Sequence, residues 1–247
     1  MQVSIACSFA RARQEGAEYL FPGATSEDQR GGTASCKLIE SCSAIGLVEE
    51  RIKEKRVKIA ILGWGSLLWE GGQEFDRWHG PWEFDGPTLK LEFSRISERR
   101  LKALTLVINV NHGVETVVAW CLSKRATVAD AICDLRGREE TTVGNIGQAT
   151  IGPEAGQLRC DSPENAIAAW AGTKNLDAVI WTALESNFQE KTRQPFSLDA
   201  ALSYLKTLTP EGKVKAAEYI WRAPAFVKTP VRAAVQTEPW FSEAENA

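Results

Sequence analysis

Val57-Lys58-Ile59-Ala60-Ile61-Leu62-Gly63-Trp64-Gly65-Ser66-Leu67-Leu68-Trp69 joins an apolar run to a glycine-rich turn. The run Val57 to Leu62 predicts a strand buried on both faces, because apolar residues continue without the alternation of a half-wet strand. Gly63 and Gly65 stand where the backbone must bend or approach something closely. Successive N–H groups in such a turn can form a concave donor site for a carboxylate. The plain alternative is a tight connection after the strand. Trp64 and Trp69 argue against it, since large aromatics close to a turn often wall a pocket.

Three common uses of a glycine turn fail on spacing. A dinucleotide fingerprint needs a third glycine where Leu68 stands, and a phosphate loop needs a lysine after Gly65. A hydrolase elbow needs glycines two residues either side of Ser66, where Trp64 and Leu68 are found.

Outward from this stretch, the composition bounds the class. The chain has 247 residues and a formal net charge of −3, with lysines and arginines scattered rather than striped. That is enough to bury one sizeable core and gives no sign of a nucleic-acid or membrane partner. No segment has the length and apolarity to cross a bilayer, and the first residues make a poor signal peptide. Six cysteines with no C-x-x-C pair do not form a disulfide framework, which points to a reducing, cytoplasmic setting. With two histidines in the chain, no metal site is expected, and a Ser-His-Asp triad has few ways to form.

Residues 1–55 read as a loosely ordered leader with a helix near Cys42 to Arg56, or as an upstream extension of the reading frame. Residues 56–236 read as one α+β domain: a small, largely antiparallel curled sheet or barrel with packed helices. Residues 237–247 read as a tail. Within the domain, Leu89 to Ser97, Leu104 to Val110 and Val114 to Leu122 alternate as strands, with Asn-His-Gly at 111–113 marking a turn between the last two. Thr127 caps a helix whose apolar stripe is Val128, Ile132 and Leu135. Pro163 to Gly172 predicts a helix, Leu176 to Leu184 a buried strand, and Ser197 to Leu208 and Glu211 to Trp221 two further helices.

Continued by four, the stripe reaches Glu139. A carboxylate on the buried edge of an amphipathic helix is unusual, and a desolvated one exchanges protons near neutral pH. The alternative is that Glu139 pairs with Arg136 or Arg138. Arg95, between apolar neighbours in a strand, can fork onto a carboxylate of a substrate or of Glu139, or face outward on a half-wet sheet. Trp64, Trp69, Trp78 and Trp82 either belong to the core or line the mouth of a pocket.

These residues together resemble the gamma-glutamylcyclotransferase-like superfamily, its glutathione-specific branch most. GWGSLLW resembles the family's YGSL or YGSN signature, VETVVAWCL its VxGVAY-type strand, and LRGRE its LDxRE pattern, across about 57–145. Trp64 replaces the tyrosine and Arg136 the aspartate, and the helical part from Ser162 onward lies outside the likeness.

The resemblance implies that Glu139 is the general acid/base and that Gly63, Trp64, Gly65, Ser66, Leu67 and Arg95 bind a small gamma-glutamyl substrate. It implies 5-oxoproline as product and no metal or organic cofactor. The leaving group and oligomeric state stay open at this level. A non-catalytic carboxylate-binding or protein-docking module on the same fold is the second reading; hydrolysis at Ser66 is a third and lacks an evident base.

Overall fold

A computed structural model describes residues 57–153, 159 and 162–245. The leader expected at 1–55 and the helix expected near Cys42 to Arg56 lie outside the described residues.

β1 (Ile59–Gly63) lies inside a four-stranded sheet. It pairs antiparallel with β5 (Ala119–Leu122), Leu62 opposite Trp120, and parallel with β7 (Ala178–Thr182), Ile61 opposite Ile180. β6 (Ile146–Thr150) completes this sheet antiparallel to β7. Side chains of a strand alternate between faces, so an apolar run fills two cores at once. Ala60 and Leu62 join the larger core; Ile59 and Ile61 join a second one with Phe75, Ile132 and Leu135. The two-faced burial expected of this run is what the structure has.

A separate antiparallel sheet contains β2 (Thr88–Ser97), β3 (Ala103–Ile108) and β4 (Val114–Val117), with β2 in the centre. The turn between β2 and β3 carries Leu101 and Lys102 in the left-handed region, at φ 50° and 67°. At the other turn the Asn109 side chain accepts from the His112 amide, and the Gly113 amide donates to the Asn109 carbonyl.

The chain is α+β, but the strands do not close into one barrel. The segment Val114 to Leu122, expected as a single strand, divides at Val118. Its first half pairs with β2, its second with β1. The Val118 peptide meanwhile bonds with the carbonyl of Pro87 and the amide of Gly86. Alternation alone could not reveal this, because both halves keep a period of two while changing partners.

Helices cover both sheet faces. α1 is Gln73–Arg77, and α2 (Val128–Glu139) packs Ala131, Ile132 and Leu135 on the second core. The Thr127 side chain accepts from the Asp130 amide at its start, and Glu140, at φ 49°, ends it. α3 (Pro163–Thr173), α4 (Phe188–Thr192), α5 (Leu198–Lys206), α6 (Pro210–Arg222) and α7 (Pro230–Val235) surround the larger core. Ser162, Thr209 and Thr229 cap their helices directly before a proline, and Ser197 caps α5. Each cap contributes about 1 kcal/mol by satisfying an otherwise unpaired amide, and proline loses nothing at the first helical position. α8 (Pro239–Glu245) carries packing beyond residue 236, with Phe241 buried against Trp221.

Candidate functional site

The turn after β1 is a short 3₁₀ segment, Ser66–Leu68, closed by bonds from the Leu68 amide to the Gly65 carbonyl and from the Glu70 amide to the Ser66 carbonyl. The first amides of such a turn have no partner within it. Those of Gly65, Ser66 and Leu67 meet no acceptor among the described residues, and all three residues line a cavity of about 620 Å³.

Gly65 is required by space. A Cβ there would lie 2.7 Å from the Tyr219 hydroxyl. Gly63 serves a different neighbour: its missing Cβ makes room for the Trp82 ring, at 2.8 Å, and Gly63 is not among the residues lining the cavity.

α2 brings its last residues to the same cavity. Arg138, with a side chain 5 % exposed, donates from Nη2 to the carbonyls of Ser66 (3.0 Å) and Glu70 (2.8 Å), and from Nε to Glu70 (3.1 Å). It therefore holds the turn against the helix end. Glu139, at the next position, lines the cavity with its side chain 18 % exposed. Arg138 Nη1 approaches its carboxylate at 3.5 Å. Burial pushes the Glu139 carboxyl above the usual carboxylate range; Arg138, Arg99 and Arg100 pull it down, and Glu70 adds to the rise. The net direction is upward, as proton exchange near neutral pH requires.

Arg95 reaches the cavity through an irregularity in β2. Register shifts between Phe93 and Arg95, leaving Ser94 as the extra residue of a bulge, a device that re-aims the side chain after it. Arg95 Nη1 donates to the Glu185 carbonyl at 2.7 Å, and its charged neighbour is Glu190 rather than Glu139. Arg100 binds both oxygens of Glu70 at 2.7 Å and lies 4.7 Å over the Tyr219 ring. Tyr219, from α6, is 4 % exposed; burial pushes its phenol up to about 12.

The structure thus brings Trp64, Gly65, Ser66, Leu67, Arg95 and Glu139 around one cavity. Of the four tryptophans between 64 and 82, Trp64 alone lines it. Trp78 lies under Arg125 (3.6 Å), Trp82 against His79 (5.4 Å), and Trp69 edge-on to Tyr219 (5.3 Å). The residues that sequence reasoning missed are Glu70, Arg100 and Tyr219. Tyr219 sits on the apolar stripe of α6, where an aromatic residue reads as core, and no local signal separates the two roles.

A scan against protein-family models and searches of curated proteins and solved structures found no match to this chain. Among the described residues no helix is long and apolar enough to cross a membrane, and no three His, Cys, Asp or Glu side chains cluster as a metal site would need.

Proposed function

We propose that the protein is a gamma-glutamylcyclotransferase-like enzyme that converts a gamma-glutamyl amide or peptide to 5-oxoproline and a free amine. The observation that carries this reading is that a half-buried carboxylate of raised pKa and a turn with unpartnered amides line one cavity. Arg138 pins the two together. The resemblance of GWGSLLW and LRGRE to the family's motifs supports it, as does their meeting in space.

In this mechanism the amides of Gly65, Ser66 and Leu67 hold the substrate's alpha-carboxylate. Arg95 supplies a positive charge to the same molecule. Ionised Glu139 takes a proton from the alpha-ammonium, and the freed amine attacks the gamma-carbonyl carbon. The carbonyl oxygen takes up negative charge in the tetrahedral intermediate. As the intermediate collapses, the amide C–N bond breaks and Glu139 returns the proton to the departing nitrogen. The ring nitrogen gives up its second proton to the released amine, so the lactam forms neutral and the amine leaves as its ammonium. Attack within one molecule supplies its own effective concentration, so one tuned carboxylate and a folded substrate suffice. The reaction needs no metal or organic cofactor. We also read the two sheets, linked through Val118, as an opened form of the family's curled sheet, and the protein as cytoplasmic.

The test is release of 5-oxoproline from a panel of gamma-glutamyl peptides and amines, with Glu139→Gln alongside. Turnover that disappears in the variant supports the enzyme and its base together. Turnover that survives in it moves the active carboxylate elsewhere. The Arg138–Glu139 ion pair favours a second reading, in which the cavity binds a small carboxylate without turnover. Ligand binding by folded protein that releases no 5-oxoproline would select that reading.

A further inference from the structure

The helices after Ser162 lie outside the stretch that resembles a known family, yet one of their residues enters the cavity. Tyr219, on α6, lines it together with Gly65 and Glu139. Its hydroxyl lies 2.7 Å from where a Cβ on Gly65 would stand, so the turn carries glycine at the point nearest this oxygen. The ring is held from several sides: Arg100 over its face at 4.7 Å, Trp69 edge-on at 5.3 Å and Phe93 at 6.1 Å. Arg100 is itself fixed by two bonds to Glu70. The Leu106 backbone beside the phenol accepts, at its carbonyl, from Trp64 Nε1 at 3.4 Å. The hydroxyl donates to no acceptor among the described residues and remains protonated at any physiological pH, with its pKa near 12. It is an immobilised O–H donor with nothing in the protein to receive its hydrogen.

Resting on the cyclotransferase reading, we propose that Tyr219 Oη donates a hydrogen bond to the gamma-carbonyl oxygen of the substrate as that oxygen becomes an oxyanion. In that reaction the carbonyl carbon bonds in turn to both nitrogens that Glu139 serves. A donor against the Gly65 turn, in the cavity that Glu139 lines, is therefore assigned to the reacting centre rather than to a remote part of the substrate. A donor fixed before reaction is worth most where charge develops, so its effect falls on kcat rather than on KM.

The test compares Tyr219→Phe, Gly65→Ala and the double variant with wild type for 5-oxoproline release, alongside thermal unfolding. Tyr219→Phe removes one oxygen and is expected to lower kcat about 100-fold, with KM within a few-fold and a similar unfolding midpoint. Gly65→Ala displaces the hydroxyl and is expected to lose kcat as well. The double variant relieves the clash yet should stay at the level of Tyr219→Phe. Wild-type kcat in Tyr219→Phe, a change confined to KM, or wild-type kcat in the double variant would each overturn the proposal. If the phenylalanine variant does not fold, Gly65→Ala, which keeps the tyrosine and displaces its hydroxyl, carries the test: wild-type kcat in that variant overturns the proposal. A wild type that releases no 5-oxoproline overturns the cyclotransferase reading and this one with it. Turnover lost in Glu139→Gln but kept in Tyr219→Phe overturns this one alone.

Discussion

The Arg138 guanidinium donates to the Ser66 carbonyl at 3.0 Å, although 72 positions separate the two residues. A buried cation bonded to backbone carbonyls of a turn makes that turn and the helix end one mechanical unit. It also sets a positive charge 3.5 Å from the carboxylate that follows it.

Arg138→Gln is therefore expected to act in two ways. Loss of its bonds to the Ser66 and Glu70 carbonyls should destabilise the fold by about 1–3 kcal/mol. Arg138 is also the strongest of the cations holding the Glu139 pKa down, so removing it raises that pKa further. In the proposed mechanism Glu139 acts when ionised, so the acidic limb of the kcat/KM profile should move to higher pH. A pH–rate series measured beside urea unfolding checks both, and a limb that stays in place would refute the electrostatic part.

Glu139 itself should lower stability at neutral pH. Its folded pKa lies above the ordinary value of 4.5 because burial outweighs the neighbouring arginines. The folded state then holds more protons than the unfolded chain between those two values, and stability falls as pH rises across that window. Glu139→Gln removes the titration. The variant should be at least as stable as wild type at neutral pH, with a flatter dependence from weakly acidic to neutral conditions. Glu92, also raised by burial, has the same sign in both proteins and cancels in the comparison. Urea midpoints across that range measure the difference; equal slopes would contradict the assignment.

Gly63→Ala tests why the first glycine of the turn is there. A Cβ would stand 2.8 Å from the Trp82 ring, an overpacking worth about 1–3 kcal/mol. The lost stability should return in part when Trp82→Leu is added. Denaturant midpoints of the single and double variants read this directly, and independent, additive losses would exclude the contact as the cause.

On the proposed reaction, Arg95→Gln should weaken substrate binding more than chemistry. A charge-assisted hydrogen bond to a carboxylate contributes about 1.5–3 kcal/mol, which corresponds to roughly ten- to hundred-fold in KM. Steady-state kinetics on the best gamma-glutamyl substrate checks the split. An unchanged KM would leave Arg95 as a strut between β2 and the Glu185 carbonyl.

Much of the fold was legible because it depends on period and capping. The run from Ile59 to Gly63 is apolar at every position because both faces of β1 are covered. Val128, Ile132, Leu135 and then Glu139 place the carboxylate at the end of a buried stripe, and Thr127 marks where that helix begins. Those are properties of neighbouring residues, and the chain's own chemistry determines them. The break at Val118 was not legible, because a strand that changes partners keeps its alternation. The meeting of Glu139 with the Gly65 turn was expected from the family likeness alone.

By itself the sequence determined β1, β2, β3 and β7, the helices α2, α3, α5 and α6, and which carboxylate continues an apolar stripe; it did not mark β6, α1, α4, α7 or α8. Only the tertiary structure decided that the strands make two sheets rather than a closed barrel. It also decided that Arg138 bonds the turn, that Gly63 faces Trp82 while Gly65 faces Tyr219, and that α6 contributes a phenol to the cavity. The reason is range. Periodicity and capping act over a turn or two of chain, whereas these contacts join residues brought together by the packing of separate elements, and nothing local distinguishes a core tyrosine from one that faces a cavity.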